Sequence, residues 1–256
     1  MKLAYRSFGQ GQPLIILHGL FGQSDNWNTL AKNFSEKNFH VYTLDQRNHG
    51  LSAHADEWDY KSMAEDLNEF IEDHQIKNPI LLGHSMGGKT LLFFQWLFPG
   101  KAKKLIVVDI AARSYEPHHQ QVLAALNAVD FNLVQSRKEA ELILNQHIED
   151  FGTKQFLLKN IYRKDLGNTV LDWRFNLKVI HDRYDNIGVA VPFYNDDTPT
   201  LIVKGEKSNY INAFDIEDFK QRFSHLTVQE VEGAAHWVHA EKPQAFFDVV
   251  YNFITT

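Results

Sequence analysis

The chain has 256 residues, of which 44% are hydrophobic, and it carries a formal net charge of −6 at pH 7. This charge excludes the basic field that attracts nucleic acid or an anionic membrane, so we expect a small-molecule partner. The absence of cysteine excludes disulfides, thiolate nucleophiles and cysteine zinc sites. No apolar run has the length of a membrane span and the first residues lack an apolar signal core, so a cytoplasmic protein of unspecified oligomeric state is expected.

The first half of the chain alternates short apolar runs with helical patterns. Lys2 to Phe8 predicts an edge strand, and the apolar run Leu14 to Leu17 is typical of a strand buried on both faces. Further strands are predicted at Phe39 to Leu44, Ile80 to Gly83 and Lys104 to Val108, with helices at Ser24 to Ser35, Tyr60 to Gln75 and Lys89 to Phe98. This order predicts an α/β fold with a mostly parallel central sheet, helices on both faces and ligands at the carboxyl ends of the strands.

Ser85 lies where a predicted strand meets a predicted helix. Gly83 and Gly87 flank it two residues away on either side, which suits a sharp turn whose neighbouring elements leave no room for side chains. Such a turn raises the serine hydroxyl above the sheet, and the N–H of Met86 at the helix N-terminus can face an oxyanion. The same glycine spacing also occurs by chance in loops, but the strand before it and the helix after it favour Ser85 as a nucleophile.

Two polar loops follow predicted strand ends. The segment His18 to Gly22 contains two glycines that let the backbone fold over the sheet edge, so the N–H of Leu20 is the candidate second oxyanion donor. The second loop contains Asp45 and Arg47, for which we expect a structural charge-assisted hydrogen bond. His49 lies in the same loop and is a weak candidate for catalysis, because most of the thirteen histidines must have ordinary roles.

The alternation of strands and helices stops between Arg113 and Tyr194. Helices are predicted here at Gln120 to Val129, Arg137 to Ile148, Lys154 to Tyr162 and Asn176 to Arg183. No segment predicts a strand, so we expect an all-helical cap at residues 113–195 above the strand ends, and a core formed by residues 1–112 and 196–256. Phe21, Trp173 and Trp237 are the predicted substrate-binding residues.

The strand pattern resumes at Thr200 to Val203. It continues with a helix near Phe214 to Phe223, a strand near Thr227 to Val231 and a last helix from Pro243 to Ile254. Two histidines lie in the loop between the last two elements. His236 follows an early serine in the chain order serine, acid, histidine and is the predicted general base, with His239 as the weaker candidate.

Five segments together resemble the α/β-hydrolases, and within them a group of small bacterial esterases and their mitochondrial relatives. These segments are HGLFG at 18–22, DQRNHG at 45–50, GHSMGG at 83–88, DWRFN at 172–176 and HWVHAEKP at 236–243. The serine segment is typical of the whole superfamily, whereas NHG at 48–50 and WRFN at 173–176 narrow the resemblance.

The acid departs from the superfamily pattern. Its usual position lies just after the strand Thr200 to Val203, but Ser208 stands there in this chain. Asp109 ends the preceding predicted strand and can replace it, because neighbouring strands are only about 5 Å apart. The resemblance also implies that the acid is Asp109 and not a residue after the strand Thr200 to Val203. Glu206 is the runner-up, and a turn-capping role for Asp109 is the structural alternative.

These residues predict acyl transfer to water through an acyl-serine intermediate, with no metal or organic cofactor. The resemblance implies carboxylic esters as substrates, and thioesters such as acyl-CoA as an option.

Basic residues that could bind substrate phosphates are matched by nearby acids, so we interpret them as solvated surface; they are Arg163, Lys164, Arg174 and Lys178. Carbon–carbon bond hydrolases and cofactor-free peroxidases use the same triad, and a non-catalytic ligand-binding homologue is a third alternative.

Overall fold

The structure is a computed structural model that describes residues 1–164 and 170–256. The strands in these ranges are β1 (Tyr5–Phe8), β2 (Gln12–Leu17), β3 (Phe39–Leu44), β4 (Ile80–His84), β5 (Lys104–Val108), β6 (Ile161–Arg163), β7 (Leu171–Trp173), β8 (Thr200–Gly205) and β9 (Leu226–Val231). The α-helices are α1 (Asn28–Ser35), α2 (Tyr60–Asp73), α3 (Met86–Leu97), α4 (Gln120–Asn127), α5 (Arg137–Leu144), α6 (Phe151–Leu158), α7 (Leu177–Asp182), α8 (Ala213–Arg222), α9 (Val238–Glu241) and α10 (Pro243–Thr255).

The central sheet has, within the described residues, seven strands in the order β1-β3-β2-β4-β5-β8-β9. The edge strand β1 pairs with β3 in antiparallel fashion, and every other neighbouring pair is parallel. The order changes direction between β2 and β4, and this is where open α/β sheets form a crevice for ligands. The predicted α/β fold with a mostly parallel sheet is therefore confirmed.

Both faces of the sheet are covered because its inner strands carry apolar side chains on both faces. In β4, Leu81 contributes to one hydrophobic cluster and Leu82 to the other, since successive side chains of a strand point to opposite faces. Helices α2 and α3 pack on the first face, and α1 and α10 pack on the second. This packing fixes the strand ends on which the site is built.

The connection between β5 and β8 differs from the sequence prediction. It contains α4 to α7, but β6 and β7 also form a short antiparallel hairpin with Tyr162 opposite Asp172. The predicted helix over 154–162 ends at Leu158, because residues 161–163 pair with β7 instead of continuing the helix. The side chain of Asn160 between them donates to the carbonyl oxygen of Phe21 at 2.9 Å. The expectation of an all-helical cap is therefore wrong. The boundaries at residues 113 and 195 stay a prediction, and residues 165–169 of this segment lie outside the described ranges.

Across residues 1–164 and 170–256, every helix is too short or too polar to span a lipid bilayer.

Candidate active site

The turn that carries Ser85 joins β4 directly to α3. Its backbone has φ 52° and ψ −118°, a conformation that an L-residue adopts only under constraint. A Cβ at Gly83 would lie 2.4 Å from the carbonyl oxygen of Gly87, and a Cβ at Gly87 would lie 2.6 Å from that of His18. Both positions therefore require glycine. The N–H of Ser85 donates to the carbonyl oxygen of Val108 at 2.9 Å, which ties the strained turn to β5.

His236 connects two side chains that lie far from it in the sequence. Its Nε2 lies 3.0 Å from the hydroxyl of Ser85, and its Nδ1 lies 2.8 Å from Oδ2 of Asp109. A carboxylate only accepts, so Nδ1 carries the proton and the lone pair of Nε2 accepts the serine O–H. This is the geometry of a nucleophile, a general base and an acid that fixes the base's tautomer.

The carboxylate of Asp109 is completely buried and fully hydrogen-bonded. Its Oδ1 accepts from the N–H of Gly205 at 3.1 Å, and its Oδ2 accepts from the hydroxyl of Ser208 as well as from the imidazole. The backbone of Asp109 has φ 51°, a left-handed conformation that aspartate tolerates better than most residues. By contrast, the exposed Glu206 accepts from the N–H of Gly233 at 2.7 Å and makes no hydrogen bond with the imidazole among the described residues.

The second histidine of the last loop, His239, has packing contacts. Its ring stacks on Trp27 with centroids 4.1 Å apart and planes inclined by 10°, and it also contacts the ring of His84. Within the described chain it forms no hydrogen bond with Ser85 or Asp109. The structure therefore brings together Ser85, His236 and Asp109, and it does not include His239 in this group.

The loop after β2 supplies the second candidate oxyanion donor. Residues 19–22 form a tight turn closed by a 2.9 Å backbone hydrogen bond. In the described part of the chain, the N–H groups of Leu20 and Met86 donate to no protein acceptor, and both residues line the pocket at the serine. The next N–H, that of Phe21, donates to Nε2 of His49 at 3.2 Å. This contact holds the loop at the height of the candidate oxyanion donors.

Two buried histidines fix the same loop as neutral rings. Nε2 of His18 accepts from the N–H of Gln46 at 3.0 Å, and its Nδ1 donates to the carbonyl oxygen of Gly19. Nδ1 of His49 donates to the carbonyl oxygen of Arg47. Burial lowers the pKa of His18 to about 4 and the pKa of His49 to about 3, so both rings stay uncharged and can accept these N–H groups. His49 thus has a structural contact and no hydrogen bond to the candidate triad in the described residues.

Asp45 and Arg47 each fix the loop after β3 with hydrogen bonds, but they do not form the predicted bond to each other. Asp45 accepts from the N–H groups of Ser24 at 2.6 Å and Leu51 at 2.9 Å. Arg47 forms a bidentate pair with Asp66 at 2.6 and 2.9 Å. Both residues thus have the expected structural role, but Arg47 pairs with Asp66 because this buried carboxylate on α2 matches the planar guanidinium with two parallel hydrogen bonds.

A narrow pocket that is partly open to solvent lies in front of Ser85. Its apolar walls come from Leu20, Met86, Ile110 and Ile187. Glu116 and Gly188 also line the pocket. Aromatic and histidine side chains form the rest of the wall, most of them from the connection between β5 and β8; they are Tyr60, Tyr115, His118, His119, Tyr184 and Tyr210. Sequence reasoning missed this wall. The dense grouping of tyrosine and histidine at 115–119, directly after a strand end, was the available signal.

The four tyrosine hydroxyls of this wall are already engaged by protein groups. Tyr60 donates to Ile187 O at 3.0 Å, Tyr115 to Tyr210 O at 2.6 Å, Tyr210 lies 2.6 Å from His118 Nε2, and Tyr184 pairs with His119 Nδ1. The tyrosines therefore present mainly their ring carbons to a ligand. A wall of this kind favours an apolar group over a charged one.

The three predicted substrate-binding residues are not among those that line this pocket. Phe21 and Trp173 are buried and pack against Phe175, with ring centroids 5.0 and 5.3 Å away. Trp237 packs against Phe156 at 4.9 Å. The structure thus places Phe21 and Trp173 in the core, because the apolar faces of the loop after β2 and of the β6–β7 hairpin pack together.

The fold and this site define a member of the α/β-hydrolases, and the chain belongs to the alpha/beta hydrolase fold family, whose pattern matches residues 12–243. Esterase YbfF of Escherichia coli (strain K12) is 34% identical over 245 residues, which cover 94% of this chain and 92% of that protein. The sn-1-specific diacylglycerol lipase ABHD11 of Mus musculus is 34% identical over 250 residues, covering 94% of this chain and 80% of the lipase. A solved structure of a marine microorganism esterase has a TM-score of 0.95 and 40% identity, and the match covers 99% of each chain.

These relatives confirm the family resemblance found in the sequence. Because they include esterases and a lipase that match nearly the whole chain, ester hydrolysis of a small-molecule substrate is the activity they support.

Proposed function

We propose that this chain is a serine hydrolase that cleaves carboxylic esters through an acyl-serine intermediate. The observation that carries this proposal is the position of His236, whose two ring nitrogens lie 3.0 Å from Ser85 Oγ and 2.8 Å from Asp109 Oδ2. Ser85 is the nucleophile, His236 the general base and Asp109 the acid. The unengaged N–H groups of Leu20 and Met86 are the oxyanion donors.

The proposed reaction has two halves that use the same groups. In the first, Ser85 Oγ bonds to the ester carbonyl carbon while its proton moves to Nε2 of His236, and the carbonyl oxygen becomes the oxyanion. Collapse of this intermediate breaks the bond to the alcohol oxygen, which takes the proton from His236. In the second half, water attacks the acyl-serine, His236 accepts the water proton, and that proton returns to Ser85 as the carboxylic acid leaves.

The substrate class follows from the pocket wall. Four tyrosines with engaged hydroxyls and four aliphatic side chains give an apolar surface, which supports an apolar acyl group. A thioester presents the same carbonyl carbon to the serine, so thioesters such as acyl-CoA belong to the substrates to be tested. The cytoplasmic location expected from the sequence stays a prediction.

A panel of p-nitrophenyl esters of graded chain length, together with acyl-CoA thioesters, tests the activity. The wild-type protein is expected to hydrolyse the esters and to react with a fluorophosphonate probe. Ser85→Ala is expected to lose both properties, whereas Ser114→Ala, which removes an exposed hydroxyl, keeps both. Labelling that survives in Ser85→Ala would assign the nucleophile elsewhere. Turnover of only a carbon–carbon bond substrate or of peroxide would favour the alternative reactions of the same triad, and binding without turnover would favour a ligand-binding protein.

A further inference from the structure

Two aromatic rings contact the imidazole of His236. The ring of Tyr210 stacks on it, with centroids 3.8 Å apart and planes inclined by 16°. The ring of His84 contacts it at 4.8 Å, and Nε2 of His84 donates to the backbone carbonyl oxygen of His236 at 2.9 Å. The side chain of His236 is nevertheless 23% exposed. The imidazole of His236 is thus held by hydrogen bonds to Ser85 and Asp109 and is covered on one face by the ring of Tyr210.

Tyr210 is held in this position at three points. Its N–H donates to the hydroxyl of Ser208 at 3.2 Å, and its carbonyl oxygen accepts from the hydroxyl of Tyr115 at 2.6 Å. Its own hydroxyl lies 2.6 Å from Nε2 of His118, whose Nδ1 donates to the carbonyl oxygen of Glu116. Because Nδ1 of His118 carries the proton, Nε2 accepts and the tyrosine hydroxyl donates. Burial raises the pKa of Tyr210, which keeps that donor protonated.

These contacts connect the segment after β5 to the imidazole. Tyr115 and His118 belong to this segment, and both fix the backbone or the hydroxyl of Tyr210 across more than ninety residues of sequence. A ring anchored at both ends is well suited to limit the rotation of the imidazole that it covers. Its face also suits a positive charge, since an aromatic ring attracts a cation placed over it.

We propose that Tyr210 is a positioning residue for His236, holding the imidazole in the orientation that reaches Ser85 and Asp109 and facing the imidazolium formed during the reaction. The predicted effect on kcat rests on the proposed function. The predicted effect on the orientation of the imidazole depends only on the stacked ring of Tyr210. Loss of the ring lowers kcat about tenfold, because a misplaced base slows proton transfer more than substrate binding. A residue that only lines the pocket would change KM instead.

The test compares Tyr210→Phe, which keeps the ring and loses the bond to His118, with Tyr210→Leu, which loses both. Tyr184→Leu is the matched variant, because Tyr184 lines the same pocket without a ring contact to His236 among the described residues. For a p-nitrophenyl ester, we expect kcat to fall about tenfold in Tyr210→Leu and to fall less in Tyr210→Phe, which keeps the ring and its backbone contacts. Both Tyr210→Leu and Tyr184→Leu are expected to raise KM because both residues line the pocket, whereas only Tyr210→Leu is expected to lower kcat. Equal kcat in Tyr210→Leu and wild type, or an equal loss in Tyr210→Phe and Tyr210→Leu, would overturn the proposal.

Nuclear magnetic resonance of ring-labelled protein separates this proposal from the hydrolase assignment. We expect the ring protons of His236 to show the upfield shift of a stacked aromatic neighbour in the wild type and in Tyr210→Phe. In Tyr210→Leu the shift should disappear, and couplings of the side chain should report more than one rotamer. If Tyr210→Leu keeps a single rotamer, the positioning role is refuted even in an active enzyme. If the wild type hydrolyses no ester but shows this pattern, the positioning role stands and the proposed reaction fails.

Discussion

The hydroxyl of Ser208 donates a hydrogen bond to Asp109, at the carboxylate oxygen that also binds Nδ1 of His236. Ser208 stands at the position where the superfamily usually has its acid. This position still contacts the carboxylate that binds His236, although that carboxylate belongs to Asp109 at the end of β5. The two positions therefore follow the ends of the neighbouring strands β5 and β8, and their side chains are in hydrogen-bond contact.

Asp109→Asn is expected to lower kcat about 10⁴-fold, because an amide cannot hold the imidazole in the required tautomer or support its charge. Glu206→Gln is the matched carboxylate-to-amide control and should change kcat less than twofold, since Glu206 binds a backbone N–H at the surface. Steady-state kinetics on one ester measures both. A larger loss in Glu206→Gln would reassign the acid.

The double variant Asp109→Asn with Ser208→Asp is expected to recover at least tenfold in kcat over Asp109→Asn. The new carboxylate would start within hydrogen-bond distance of the side chain at 109, and so can replace it beside His236. Ser208→Asp alone places two carboxylates in contact and should be destabilised, which a lower midpoint of thermal unfolding would show. A double variant no faster than Asp109→Asn would mean that position 208 cannot hold the imidazole.

His49→Phe is expected to lower kcat about 10- to 100-fold with a smaller change in KM. The substitution removes the acceptor of the Phe21 N–H, so the loop no longer holds the N–H of Leu20 in place. Removal of one oxyanion donor lowers kcat about 10²- to 10³-fold, and a displaced donor is expected to have a smaller effect. His49→Gln keeps an acceptor and should lose less. Measurement of kcat for the two variants, corrected for the fraction of folded protein, tests this prediction. An identical loss of kcat in both variants would indicate that the His49 side chain acts through packing alone.

Acid is expected to destabilise the fold through buried histidines that remain neutral. Burial lowers the pKa to about 4 for His18 and about 3 for His49, and well below the ordinary value for His84. The unfolded chain protonates these rings near pH 6.5, so the stability present above that pH is lost as the pH falls towards the folded values. Calorimetric unfolding at pH 5 in two buffers should therefore show uptake of about three protons or more. Uptake of less than one proton would contradict the neutral rings.

Lys89 is expected to make stability rise with pH above neutrality. Its side chain is fully buried, Nζ donates to the carbonyl oxygen of Arg113 at 2.7 Å, and burial lowers its pKa to about 7. Between pH 7 and the unfolded value of 10.5 only the unfolded chain holds this proton, so wild-type stability gains about 1.4 kcal/mol per pH unit from this group.

The comparison with Lys89→Met measures that gain. Urea unfolding at pH 7.5, 8.5 and 9.5 should give a smaller rise in unfolding free energy for Lys89→Met than for the wild type. Replacement of the exposed Lys138 by Met should leave the wild-type slope unchanged. Parallel slopes for Lys89→Met and the wild type would show that the buried amine stays charged.

Strong local patterns made the mostly parallel sheet predictable. The strands Phe39–Leu44 and Lys104–Val108 have the predicted bounds. Helix α3 begins at Met86, directly after the turn at Ser85 and three residues before the predicted start at Lys89. The hairpin of β6 and β7 was missed because three-residue strands such as Ile161–Arg163 are too short to show alternation.

The site was only partly predictable, for a different reason. The strand ends predicted which residues come together at Ser85, but the pocket wall depends on contacts such as Tyr115 with Tyr210, separated by 95 residues in loops without periodicity. The same limit applies to Arg47, whose partner Asp66 was identified only by the packing of α2. Phe21 and Trp173 showed that an aromatic residue beside an active-site loop is as readily core as pocket.

The N–H of Ser85 donates to Val108 in β5, and the N–H of Asp109 donates to Val203 in β8 at 2.8 Å. The proposed nucleophile and acid are thus continuations of the hydrogen-bond ladder of the sheet, whereas most of the aromatic pocket wall comes from the long connection between β5 and β8. In the proposed enzyme, the groups that break the bond and most of the aromatic wall that selects the substrate therefore come from largely different parts of the chain. If the proposed function holds, evolutionary substitutions in that connection are expected to change the preferred substrate and to leave the reaction itself intact.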